Sequence, residues 1–99
     1  MNSVSFVGNL TADPVLREAQ SGNKRATFSV AVNEGQGDDE KTHFVNVTAF
    51  GTLGENLAAS LKKGTRVLVV GRLDTYKREV QVDGEVKNLT MVNFIASAV

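Results

Sequence analysis

A chain of 99 residues with 41% hydrophobic content is enough for one packed domain and short for two. Eleven basic side chains balance eleven acidic ones, which excludes a strongly basic nucleic-acid binder but not a local basic patch. The absence of cysteine rules out disulfides and thiolate metal sites, and no apolar run approaches the roughly 20 residues of a membrane helix.

In chain order, Ser3 to Leu10 alternates, with Val4, Phe6 and Leu10 on one side, and reads as a strand. Thr11-Ala12-Asp13-Pro14 breaks it, because proline cannot donate to a ladder. Val15-Leu16-Arg17 resumes an extended path, and Gln20-Ser21-Gly22-Asn23 is a turn by composition. Ala26 to Asn33 alternates most cleanly, with Ala26, Phe28, Val30 and Val32 on the apolar face. Glu34 to Lys41, rich in glycine and acid, reads as a mobile hairpin loop, followed by a strand from His43 to Gly51. Thr52 to Lys63 is expected to be the helix. Leu53, Leu57 and Leu61 share one face, Thr52 and Glu55 have capping-box spacing, and Lys62, Lys63 and Gly64 suit its end. Arg66 to Tyr76 is a long strand, Lys77 to Val86 a hairpin turning at Asp83-Gly84, and Lys87 to Ala98 the last strand.

Five strands with a helix between the third and fourth is the order of the OB-fold, an all-β Greek-key barrel often used for oligonucleotides. A single such domain over residues 1–99 is expected, with another small barrel or an α+β sheet as the alternative.

The strand His43–Gly51 has two unlike faces. Val45, Val47 and Ala49 lie on one, and Phe44, Asn46, Thr48 and Phe50 on the other. Rings interleaved with hydrogen-bonding groups suit the stacking of unpaired bases. The plainer reading is that a helix or a second subunit covers them.

Little here supports catalysis. One histidine and no cysteine cannot assemble a usual zinc set, and His43 has no nucleophile-elbow sequence to serve. Gly35-Gln36-Gly37 lacks the ending of a phosphate loop, and Asp38-Asp39-Glu40 reads as a solvated loop. No enzymatic activity, catalytic residue, metal or cofactor is expected.

Binding chemistry, by contrast, is present. Phe44 and Phe50 supply rings, Tyr76 a third, and Lys77 and Arg78 follow it directly. Arg72 shares a strand face with Tyr76, and a guanidinium there can pair with phosphate or stack on a base. Lys24-Arg25 and Lys62-Lys63 are further basic pairs, whereas Phe6, Phe28 and Phe94 alternate with aliphatic residues and read as core.

Val7-Gly8-Asn9-Leu10, Asp13-Pro14 with Arg17, Phe50-Gly51 with Leu53, Leu61-Lys62-Lys63-Gly64 and Val70-Gly71-Arg72-Leu73 resemble the bacterial-type single-stranded DNA-binding protein family. The resemblance covers essentially the whole chain. It implies an OB-fold homotetramer that binds single-stranded DNA with little sequence preference during replication, recombination and repair. A cytoplasmic location is implied too, at a bacterial nucleoid or, for a phage protein, in its host. By position, Phe44 and Phe50 fall on stacking residues, and Lys63 and Lys77 on basic positions that contact DNA. Arg78 replaces a stacking tryptophan, for which Tyr76 substitutes, and a second tryptophan near Gly35-Gln36 is missing. Asn46 completes the expected set of contacts, and binding weaker than the family's, or a shorter footprint, is expected.

The resemblance assigns recruitment of replication and repair proteins to a flexible linker and acidic tip, whereas this sequence ends at Val99. Two other readings stand beside it. One is a dimeric primosomal replication protein without a tail; the other is an interaction module with no nucleic-acid role.

Overall fold

The computed structural model describes residues 1–35 and 37–99; Gln36, in the loop expected between Glu34 and Lys41, lies outside the described residues. The elements follow one another as β1 (Val4–Leu10), β2 (Val15–Glu18), β3 (Lys24–Glu34), β4 (Lys41–Phe50), α1 (Gly51–Ser60), β5 (Arg66–Val82) and β6 (Glu85–Ala98). A 3-10 turn at Gly37–Asp39 stands between β3 and β4.

The strands hydrogen-bond in the order β1-β5-β6-β4-β3-β2, and β1 also pairs with β3 through Asn9–Ala31 and Leu10–Val30. Five strands thus close into a ring, with α1 between the third and fourth of them, as in the OB-fold. The extended path after Pro14 becomes β2, an exposed ribbon hydrogen-bonded to β3 outside the ring.

Alternation decides what is inside. On β3, Ala26, Phe28 and Val30 point inward, and Val47 and Ala49 of β4 and Val67 and Val69 of β5 meet them. Phe6 and Phe94 pack against this core edge to face, with ring centroids 5.7 Å apart. The ring closes at Gly8, where a Cβ would overlap the Ala31 carbonyl oxygen and lie 2.6 Å from a Val30 methyl.

Helix α1 places its leucines as expected, Leu57 buried and Leu53 and Leu61 packed against the core. Its ends differ from the sequence reading. The helix starts at Gly51, whose φ of +64° turns the chain out of β4, and the N-cap is Phe50, with no side-chain cap bond. The Thr52–Glu55 capping box is therefore not made, and Glu55 instead reaches Lys24 at 3.0 Å. The last helical residue is Ser60 and the C-cap is Leu61, so Lys62, Lys63 and Gly64 lie in the turn that follows.

Gly54 faces the Ala49 carbonyl oxygen, which an added Cβ would overlap, and the Ala26 nitrogen at 3.0 Å. Alanine normally gains up to about 1 kcal/mol over glycine within a helix. Overpacking against the sheet backbone, about 1–3 kcal/mol, opposes that gain. Gly54→Ala is expected to destabilise the chain by about 1–2 kcal/mol net, read as a lower urea midpoint.

The hairpin expected at Lys77 to Val86 is present and continuous with the strands on either side, so β5 and β6 run on as one projecting ribbon. Asp83 (φ 53°) and Gly84 (φ 79°) make the expected two-residue turn at its tip.

Candidate nucleic-acid interface

Strand β4 carries the two-faced pattern into three dimensions. Phe44 is 71% exposed and Phe50 51%, while Val47 and Ala49 are in the core. Helix α1 packs on β2, β3 and β4 and buries Leu57 in the core, and both rings stay open to solvent. Thr48 departs from the expectation that it meets solvent: it is buried, and its hydroxyl accepts a 2.8 Å bond from Asn93 Nδ2. At Thr48, β4 has Thr27 of β3 on one side and Ile95 of β6 on the other, and neighbours on both sides hide a short side chain. Asn46 lies outside the β4–β6 pairing and stays exposed.

Cross-strand register extends the face. Thr27 and Ser29 of β3 stand opposite Thr48 and Asn46, and Arg25 stands opposite Phe50. On the ribbon, Asp74 pairs with Asn93 and Tyr76 with Met91. All of these except Met91 line an open groove of about 720 Å³, in which Asn46, Phe50 and Tyr76 converge with Arg25 and Asp74. Tyr76 is 50% exposed. The Thr11–Asp13 loop forms another wall, and Asp13 there accepts a 2.7 Å bond from the Lys63 backbone N–H, tying Lys63 to the rim.

The remaining candidates are spread out. Phe44 stands six residues from Phe50 on β4, about 20 Å along the strand, and does not line the groove. Arg72 and Arg78 share the Tyr76 face of β5, one toward the barrel and one toward the tip. Lys77 points to the opposite face of the ribbon by alternation, opposite Thr90.

Arg25 is the groove residue that sequence reasoning left as an ordinary basic pair. Its position beside Phe50 follows from the antiparallel β3–β4 register, in which Glu34 pairs with Lys41 next to the loop. Its neighbour Lys24 is engaged elsewhere: the Glu55 carboxylate raises the ammonium above the ordinary lysine value, first by hydrogen bonding and then by charge. The groove itself has mixed charge, being lined by Asp13 and Asp74 as well as Arg25. The groove residues therefore do not set up a strong positive field.

An open groove on a closed five-stranded barrel, furnished with rings, amides and a guanidinium, defines an oligonucleotide-type OB module. The chain belongs to the single-strand binding protein family, whose model matches residues 1–96. It is 49% identical over 74 residues to a single-stranded DNA-binding protein of Thermus thermophilus, covering 74% of this chain and 28% of that protein. A single-stranded DNA-binding protein of Deinococcus radiodurans is 36% identical over 97 residues, covering 93% of this chain and 32% of that protein. Single-stranded DNA-binding protein 1 of Clostridium acetobutylicum is 36% identical over 98 residues, covering 93% of this chain and 86% of that protein. The chain thus spans about a third or less of the Thermus and Deinococcus proteins.

Proposed function

We propose that the chain binds single-stranded DNA with little sequence preference and protects it during replication, recombination and repair. The observation that carries this reading is the convergence of Phe50, Tyr76 and Asn46 in one groove on the outer face of the barrel. Any base presents a π-face to such rings, which makes stacking tolerant of sequence. Phe44, Arg72, Arg78 and Lys63 lie around the groove as outlying stacking and phosphate contacts, and Lys77 serves the other side of the ribbon. The family and its named relatives support single-stranded DNA as the ligand. No step of this function needs a catalytic group, a metal or a cofactor.

The chain is proposed to work as a homotetramer. Strand β1 pairs with β3 only at Asn9 and Leu10, which leaves the edge from Val4 to Gly8 open to another copy. Val7, 42% exposed, sits opposite Leu68, 54% exposed, so β1 and β5 present an apolar pair outward. Leu68→Glu is expected to lower the mass measured by light scattering from four chains to fewer. An unchanged mass would place the assembly contacts elsewhere. A mass of two chains for the unaltered protein would favour the dimeric primosomal type.

Titration of oligo-dT of graded length at low salt, beside duplex of equal length, tests the binding reading. Preference for the single strand is expected, with affinity falling steeply as salt rises. Equal affinity for duplex would overturn it.

A further inference from the structure

Phe50 borders a second cavity. Beside the groove lies a recess of about 480 Å³ lined by Ala19, Asn23, Lys24, Arg25, Phe50 and Gly51. Arg25 and Phe50 line both cavities, so the two are continuous around one ring and one guanidinium. The rung that carries them is longer still. Arg17 of β2 pairs with Arg25 of β3, which pairs with Phe50 of β4, so two guanidiniums and a ring lie in line on one face.

Both arginines are exposed, and neither has a carboxylate within 4 Å among the described residues. Lys24, the other cation at the recess, is instead held by Glu55. The recess thus offers an aromatic wall beside the Arg25 guanidinium, with Arg17 next along the rung, a combination that accepts a base and its phosphate. No other feature of the rung uses that charge: the β2–β3 and β3–β4 ladders are held by backbone bonds, and two neighbouring guanidiniums repel one another.

We propose that the recess is a further nucleotide subsite, in which a single strand leaving the groove past Phe50 lays its next base against the ring from the recess and its phosphate on Arg25 and Arg17. This rests on the single-strand reading above and adds a direction to it: the strand crosses the barrel from the β5–β6 ribbon toward β2. Loop residues Ala19 and Asn23 and the backbone at Gly51 bound the site, which sets its capacity at about one nucleotide.

The test is a fluorescence-anisotropy titration of the full chain with labelled oligo-dT of graded length, over a series of salt concentrations. Arg17→Gln/Arg25→Gln is compared with the unaltered chain and with Lys62→Gln, a cation outside the rung. Each phosphate contact with a single strand contributes about 0.7 to the slope of log affinity against log salt. The double variant is expected to lose about 0.7 from that slope, the share of one phosphate, and to reach its full affinity with a shorter oligonucleotide. Lys62→Gln keeps both values, and Arg17→Lys/Arg25→Lys retains the slope. Circular dichroism reports whether the exposed substitutions leave the barrel folded. An unaltered slope in the folded double variant, with normal binding by the unaltered chain, overturns the subsite alone. No binding by the unaltered chain overturns the single-strand reading as well.

Discussion

Replacing Phe50 and Tyr76 together by alanine is expected to weaken oligo-dT binding between about 30-fold and 20,000-fold at low salt. Each base stacked on a ring is worth roughly 1–3 kcal/mol by alanine substitution, and two such losses compound to about 2–6 kcal/mol. Both rings line the groove, and each keeps about half its surface in water, 51% for Phe50 and 50% for Tyr76. Their removal therefore opens no large cavity in the core, and the urea midpoint should move little. Anisotropy gives the binding loss and urea unfolding the stability. If the double variant unfolds, the rings support the barrel; if it binds as before, the strand passes elsewhere. Phe44→Ala should produce a smaller loss in the same assay, because this ring stands outside the groove.

The same chemical change at Phe28 should do the reverse. Its side chain is 6% exposed and packs among Val30, Val47 and Val69, with one edge reaching the groove wall. Phe→Ala at a buried site typically costs about 3–5 kcal/mol, a transfer loss plus the cavity left behind. For a domain whose total stability is about 5–15 kcal/mol, this is a large share. Phe28→Ala is expected to lower the urea midpoint sharply and to leave part of the population unfolded at moderate temperature. A loss below about 1 kcal/mol would mean that β3 does not face the core as its alternation implies. The contrast between Phe28 and Phe50 isolates facing from residue type.

Facing was the most legible property of the chain. The period of two on β3 put Ala26, Phe28 and Val30 inside, and on β4 it separated Val47 and Ala49 from Phe44 and Phe50. Asp83-Gly84 was legible for a local reason, since both residues must take positive φ in a two-residue turn. Properties that depend on distant partners were not. Thr48 has the same parity as Phe50, but β6 comes alongside it and Asn93 binds its hydroxyl. Arg25 gains its place from the β3–β4 register, and Arg17 from β2, both set by pairing between separate segments. The capping box failed because Gly51 turns the backbone one residue before Thr52, so the helix begins without a side-chain cap. The hairpin at Lys77 to Val86 was legible too, but not that its ladder is continuous with β5 and β6, because no apolar pattern links the segments. Lys77, the immediate neighbour of Tyr76, falls on the other face of the ribbon by the same alternation that joins Arg72 to Tyr76.

With one tyrosine and no tryptophan, the intrinsic fluorescence of the chain reports on Tyr76 alone. The central claim is that unpaired bases stack in the groove that this ring lines. Titration with oligo-dT at low salt, beside a duplex of equal length, is predicted to quench Tyr76 emission saturably with the single strand and far less with the duplex. Anisotropy that reports bound single strand while the tyrosine emission stays unchanged would contradict it.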